Sequence, residues 1–388
     1  MKALGMYIFG GSQTIGHLLE GWEIDTVLEM TDSMNLQNSY HFIKNYPNIS
    51  VKLPGEYEEN EDYIEQLKNT KYDLLFSNPP CSGLSQINRN ASVDNKANVY
   101  LYNVIDMIDT IKPKTFLIEN APTLTTTGFP ILKYLNKKLN DSYFVLILND
   151  LAGNHNVAMH RRRTLVVGFS KEYFKGIPKL AVENEQISVK DVLNSIDYTY
   201  NKEYIKEVNE ELFKYYSKVP ENCSLYSALA YQIDDTDVLH ESIKKPVQKV
   251  KDKLSRNENI WDKSPWKSGI DSKFPSMTSL TRIIHPIENR ELYIREYASI
   301  MGYPNDFIFY PDECITPTVQ CIAQGVPVNF IRYISREIMR SFDYDEFYDG
   351  EIIYINQTNP KNLKIAAYKT LQDFCNADNI HCVEINLK

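Results

Sequence analysis

One thiol in this chain stands where chemistry could be done. In Leu74-Leu75-Phe76-Ser77-Asn78-Pro79-Pro80-Cys81-Ser82-Gly83 an apolar run ends in two prolines, and a cysteine follows them. The run reads as a short buried strand. Two consecutive prolines supply no N–H and cannot continue a sheet. Cys81 is therefore expected at the end of a strand, on a stiff turn, ahead of a small and mobile Ser-Gly. In open α/β sheets chemistry sits outside the carboxyl ends of the strands. The plain alternative is a buried cysteine acting as a small hydrophobe. Two further groups mark the ends of similar runs. Thr115-Phe116-Leu117-Ile118 leads into Glu119 and Asn120, and Arg161-Arg162-Arg163 leads into the strand-like stretch from Thr164 to Phe169. A thiol, a titratable acid and guanidinium forks are residue types that catalysis and anion binding draw on.

The elements that would position these groups are legible in outline. Residues 3–9 form a first strand ending at Gly10-Gly11, a helix runs from near Ile15 to Leu19, and Trp22 to Leu28 forms a second strand ending at Glu29. Strand, glycine-rich turn, helix, strand and acid within about thirty residues is a unit that binds nucleosides. The glycines let the backbone approach the ligand, and the acid can grip ribose hydroxyls. A βαβ turn without a ligand has the same outline. A strand over Ile49 to Leu53 and an acidic helix from Glu56 to Lys68 come next. Residues 82–98 read as a long loop, a helix runs from Val99 to Ile111, and Tyr143 to Leu148 is another strand. Alternating strands and helices give an α/β fold with a mostly parallel sheet.

From 171 to 277 the pattern becomes irregular, polar and aromatic, with Lys244, Lys245, Lys249, Lys251, Lys253 and Arg256 close together. This reads as a smaller inserted domain, and the basic stretch as a nucleic-acid contact or a solvated helix face. Helices are expected again at Arg290 to Met301 and Asn329 to Phe342, within a return to the first domain over 278–345. The remainder, 346–388, reads as an extension with a strand at 351–355 and a helix from Leu363 to Phe374, of no evident role.

Composition narrows the class. With 388 residues, 43% hydrophobic and 24% charged, the chain is long enough for two domains of ordinary soluble character. No apolar run approaches the ~20 residues that cross a bilayer, so no membrane partner is expected. Six scattered cysteines without a Cys-x-x-Cys pair argue against zinc and against a disulfide framework, and fit a reducing cytoplasm. The net charge of −9 argues only weakly against nucleic acid, because the basic residues cluster.

Taken in order, these motifs resemble the DNA (cytosine-5) methyltransferases. Pro80-Cys81 matches that family's Pro-Cys motif, and Glu119-Asn120-Ala121 its Glu-Asn-Val. Met159-His160-Arg161-Arg162-Arg163 matches Gln-x-Arg-x-Arg, Arg295-Glu296 through Gly302-Tyr303-Pro304 matches Arg-Glu and Gly-Phe-Pro, and Ala323-Gln324-Gly325-Val326-Pro327 matches Gly-Asn-x-Val-Pro. The resemblance covers roughly 1–170 and 278–340, with the insert in the place of a target-recognition domain. It implies a Rossmann-like fold that uses S-adenosylmethionine, and no metal, to methylate carbon 5 of cytosine in duplex DNA. Cys81 would be the covalent nucleophile, Glu119 the proton donor to the base, and Arg161 and Arg163 the groups holding the base carbonyl and a nearby phosphate. Phe9, Gly10, Gly11, Glu29, Pro80, Gln324 and Val326 would line the cofactor pocket, and Ser85 and Asn120 would contact the flipped base or its phosphate. A monomer in the cytoplasm of a bacterium or phage-infected cell, with or without a cognate restriction endonuclease, follows from the same resemblance. The chain departs from the family at Met159, at Ala323-Gln324, and at Gln13-Thr14, where the family has two glycines. The same chemistry on tRNA, a degenerate DNA-binding member, and exocyclic amino methylation suggested by Asn78-Pro79-Pro80 remain as alternatives.

Overall fold

The computed structural model describes residues 1–30, 33–85, 88–181, 184–205, 208–260, 262–278, 281–313, 318–359, 363–369 and 373. The chain divides into two compact units. Met1–Asn156, Arg161–Glu185 and Gly325–Lys388 form the larger, and Val157–His160 with Gln186–Gln324 the smaller.

The larger unit is built on β1 (Ala3–Met6), β2 (Thr26–Leu28), β3 (Ser50–Lys52), β4 (Leu74–Ser77), β5 (Thr115–Asn120), β6 (Tyr143–Leu151) and β7 (Arg162–Ser170). Two more strands, β8 (Ile352–Asn356) and β9 (Lys364–Tyr368), come from the C-terminal region. They make one nine-stranded sheet in the order β9-β8-β6-β7-β5-β4-β1-β2-β3. The strands from β3 across to β5 are parallel, β7 is antiparallel to both its neighbours, and β8 lies parallel to β6. This is the mostly parallel α/β sheet the sequence predicts. Strand order reverses at β1, which has β2 on one side and β4 on the other. The turns leaving β1 and β4 therefore open side by side at the carboxyl edge, where open α/β sheets bind ligands.

The helices of this unit include α1 (Ser12–Leu19), α2 (Ser33–Asn45), α3 (Glu61–Asn69), α4 (Val99–Ile111) and α5 (Phe129–Leu139). On α4, Leu101, Val104, Ile105 and Ile108 recur at helical spacing and enter one core with Leu75, Phe116 and Ile118. The helix stops at Lys112, which takes a left-handed φ of 51°, and Pro113 behind it cannot continue a helix. Successive strand residues face opposite ways, so Phe76 turns to the other side of the sheet, where its ring meets His17 of α1 at 4.3 Å.

Three local expectations are corrected. The acidic stretch is not one helix from Glu56 to Lys68. It breaks into a turn at Pro54–Tyr57 and α3, because the Asn60 side chain accepts from Tyr63 N–H at 3.0 Å and starts a new helix there. Helix α2 was not expected at all, its apolar residues being too few for a clear period. The helix expected from Leu363 is instead strand β9, paired antiparallel with β8. The Lys-Ile-Ala-Ala-Tyr sequence permits a helix, and the sheet edge offered by β8 overrides that local preference. The expected continuation beyond 373 lies outside the described residues.

In the smaller unit α6 (Glu241–Ser255) buries Ile243, Val247 and Val250 against Leu225, Leu229 and Tyr216. Its basic residues lie off that buried face, where local acids or backbone carbonyls meet several of them. Lys244 pairs with Asp237 at 2.6 Å, Lys251 donates to the Asp234 carbonyl at 2.7 Å, and Arg256 pairs with Glu258 at 2.6 Å. Helix α7 (Ile294–Ile300) carries the Arg295-Glu296 pair, both buried. Arg295 donates to the carbonyls of Pro304, Asn305 and Phe307, and Glu296 accepts a two-pronged contact from Arg290. That pair is a scaffold for its own loop. No helix among the described residues is long and apolar enough to cross a membrane.

Candidate active site

Cys81 sits where the sequence puts it. Asn78 N–H donates to the Met6 carbonyl at 3.3 Å, which carries the pairing one residue past the end of β4. Pro79 and Pro80 then turn the chain, and Cys81 follows as a free, half-exposed thiol. The loop behind it is tied within itself and to the segment that follows β5. Leu84 N–H donates to the Cys81 carbonyl at 3.0 Å, Ser92 N–H to the Gly83 carbonyl at 2.9 Å, and Thr123 Oγ1 to the Leu84 carbonyl. Ser85 is half-buried in this loop, next to residues 86–87, which lie outside those described.

Two neighbouring strands bring the acid and the arginines to the same edge. Asn120, at the end of β5, donates from Nδ2 to the Pro79 carbonyl at 3.2 Å and accepts at Oδ1 from Ala121 N–H at 2.9 Å. One hydrogen bond thus joins the turn that carries the thiol to the strand end that carries the acid. Glu119 is buried, and its Oε1 lies 2.6 Å from Nε of Arg163. Arg163 stands on β7, whose register places it one pair beyond Asn120 and Thr164. Arg161 is also buried, Arg162 between them is exposed, and the Arg161 carbonyl accepts from Ala152 N–H at 2.9 Å. The alternation of a strand turns the first and third arginines inward and the second out. Burial pushes the Glu119 carboxyl above the usual carboxylate range, and the charges of Arg163 and then Arg161 offset only part of that rise.

The glycine turn is the third component. Tyr7 and Phe9 take left-handed φ angles of 61° and 49°, and Gly11 one of 81°. A left-handed residue with a side chain costs about 1–2 kcal/mol, so the surrounding structure must hold the turn. Glu29 does this. Its Oε1 accepts from Ile8 N–H at 2.9 Å and Ser39 Oγ at 2.8 Å, and its Oε2 from Met30 N–H at 3.1 Å. Burial raises its pKa to about 7 despite those donors. Gly11 admits no side chain, since an added Cβ would stand 2.1 Å from the Phe42 ring. Val326, from the motif at the far end of the chain, donates its N–H to Ser12 Oγ at 2.9 Å beside the turn. Gln324 closes the helix Thr318–Gln324 in the smaller unit.

Ser12 and Ser39 were not singled out from the sequence, because they carry no motif. Gln13 stood out there only as a departure from the family's two glycines, and Asn78 only within Asn78-Pro79-Pro80, the run behind the amino-methylation alternative. Among the described residues, no group of three or more His, Cys, Asp or Glu is placed to hold a metal ion.

Comparison with known proteins agrees with this architecture. The chain is 25% identical over 301 residues to the type II methyltransferase M.PspPI of Psychrobacter, covering 73% of this chain and 67% of that protein. It is 24% identical over 371 residues to the type II methyltransferase M.FnuDI of Fusobacterium nucleatum, covering 91% and 98%. The solved structure of the Entamoeba histolytica methyltransferase EhMeth superposes with a TM-score of 0.56 at 14% identity, over 88% of this chain and 97% of that one, and shares the fold. The family model of the C-5 cytosine-specific DNA methylases matches residues 7–340, from the glycine turn to the last residue of the helix Val328–Arg340. The chain belongs to that family and is a DNA cytosine methyltransferase.

Proposed function

We propose that the protein methylates carbon 5 of a cytosine flipped out of duplex DNA, through a transient covalent bond to Cys81. The observation that carries this reading is the buried Glu119 held against Arg163, one residue from the Asn120 side chain that grips the Cys81 turn. A base inside a duplex cannot reach such an edge and must leave the stack. The thiolate of Cys81 adds to carbon 6, forming the sulfur–carbon bond as the ring's 5,6 π electrons move to carbon 5. Glu119, whose proton affinity burial raises, donates a proton to ring nitrogen 3 as charge builds there. Arg163 keeps that carboxyl in place, and Arg161 and Arg163 offer guanidinium forks to the base carbonyl and a phosphate. Asn120 positions the cysteine turn. Once carbon 5 carries the methyl group, its proton leaves to water, the electrons of that bond re-form the 5,6 double bond as the Cys81 thiolate is expelled, and the nitrogen 3 proton returns to Glu119.

S-adenosylmethionine, when bound, supplies that methyl on a sulfonium centre. The residues at the turn fit it. Phe9, Gly10 and Gly11 form the cradle, Glu29 keeps acceptor capacity on Oε2 for a ribose hydroxyl, and Pro80 and Val326 complete the pocket from within the larger unit. Ser85 lies in the loop expected to close on the substrate phosphate. The smaller unit reads the bases around the target. The enzyme acts as a single chain in the cytoplasm, and the type II names of its relatives make a sequence-matched endonuclease its natural partner.

The test uses duplex DNA, the same duplex with 5-fluorocytosine at candidate targets, and tRNA. With tritiated S-adenosylmethionine, label enters duplex DNA and not tRNA. Fluorine cannot leave as a proton does, so the fluorinated duplex stays bonded to the enzyme through denaturing electrophoresis. Cys81→Ala abolishes both results. Transfer into tRNA alone, or label without any Cys81-dependent adduct, overturns the reading.

A further inference from the structure

Two buried amide side chains at the carboxyl edge of the larger unit have no partner for their N–H groups among the described residues. They are Gln13 Nε2 and Asn78 Nδ2, in residues only 1% and 4% exposed. A buried donor left unpaired costs about 1–3 kcal/mol, so two at one edge point to an acceptor from outside the described residues.

The topology brings the two together. Gln13 lies one helical turn before His17 on the same face of α1, and the His17 ring meets Phe76 at 4.3 Å. Phe76 and Asn78 are two residues apart on an extended segment, so their side chains share a face of the sheet. Helix α1 runs back along the strands, so the step from His17 to Gln13 leads toward the same edge as the step from Phe76 to Asn78. The first turn of α1 also lies there. It begins at Gly11 without a side-chain cap, so its N–H groups and the positive end of the helix favour an anion.

We propose that Gln13 and Asn78 bind the carboxylate of the amino-acid end of S-adenosylmethionine, a reading that rests on the cofactor assignment above. The two amides and the helix end all donate, and a carboxylate is the cofactor's one anionic acceptor. Glu29, itself an acceptor, suits the hydroxyl-bearing end. Gln13 stands where the family has glycine, so this chain supplies a side chain where its relatives leave backbone.

The test is a comparison of two ligands by calorimetry. S-adenosylhomocysteine carries the carboxylate, and 5′-methylthioadenosine lacks the whole amino-acid end. Gln13→Glu and Asn78→Asp keep the side-chain size and turn each donor into an acceptor. Gln13→Ala and Asn78→Ala remove it, and thermal unfolding identifies any variant that fails to fold. Each folded variant is expected to lose affinity for S-adenosylhomocysteine by ~10-fold or more, about 1.4 kcal/mol, and to change affinity for 5′-methylthioadenosine by less than ~2-fold. Equal losses for both ligands overturn the proposal, as does undiminished S-adenosylhomocysteine binding accompanied by weaker binding of duplex DNA. If the unmodified protein binds neither nucleoside, the cofactor assignment itself fails and takes this proposal with it.

Discussion

Nε of Arg163 lies 2.6 Å from Oε1 of Glu119, and the two side chains are only 13% and 2% exposed. The acid is thus pulled two ways, raised by burial and lowered by the guanidinium beside it. A group set between those pressures can hold a proton for a base and still be kept in one orientation. Replacing Arg163 by Ala should raise the proton affinity of Glu119 further and let its side chain wander. Single-turnover methylation is expected to slow by ~100-fold or more, the scale on which one positioned donor acts. Cofactor affinity should change little. Equal losses in both would show that Arg163 shapes the cofactor pocket instead.

Glu119→Gln tests the acid directly. The amide keeps the shape and cannot transfer a proton. Turnover should fall by ~100- to 10,000-fold, the usual contribution of general acid–base catalysis. Binding of S-adenosylhomocysteine, measured by calorimetry, should stay within about 2-fold, which is under 0.5 kcal/mol.

Two buried groups give stability a particular dependence on pH. His17 has its folded pKa lowered to about 3 from 6.5 by burial. Its contribution is present above pH ~6.5 and is lost as pH falls toward 3, by up to about 1.4 kcal/mol per unit. Glu29 behaves oppositely. Burial raises it from 4.5 to about 7, so its contribution is present below pH ~4.5 and is lost as pH rises through 7. Between pH 4.5 and 6.5 the two slopes oppose each other. Urea unfolding of Glu29→Gln should therefore show a steeper loss on acidification than the unmodified protein, and His17→Gln a shallower one. Parallel pH profiles for all three proteins would refute this.

The C-terminal hairpin should prove integral to the larger unit. Gln357 Nε2 donates to Asp150 Oδ2 at 2.6 Å, His155 Nε2 meets that same oxygen at 2.6 Å, and Asn149 Nδ2 donates to Tyr354 OH at 2.9 Å. Asp150 and Asn149 face Arg163 and Thr164 across β6 and β7. Gln357→Ala is expected to cost about 1–3 kcal/mol, the price of an unpaired buried partner, read as a lower denaturant midpoint with an unchanged slope. Deleting residues 350–388 bares the edge of β6 and should give aggregated protein on size-exclusion chromatography. A soluble, fully stable truncation would show the hairpin to be an appendage.

Much of this protein was decided by the sequence alone. The Pro-Pro break before Cys81, the strand ending in Glu119 and the alternation of Arg161 with Arg163 are local features, written in residue types and a period of two. The apolar spacing of Val99–Ile111 likewise set a helix whose ends the structure reproduces. What lay outside local pattern was decided only by tertiary structure. Residues 364–368 became a strand because a sheet edge was waiting for them. Asn120 took hold of Pro79 because β5 folded beside β4. Glu29, at the right distance from a glycine turn, was legible as an acid, but the three donors that shape the turn around it come from residues 8, 30 and 39. The physical reason is the range of the forces involved. Steric and periodic preferences act over a few residues, whereas burial and hydrogen-bond satisfaction depend on which segments meet.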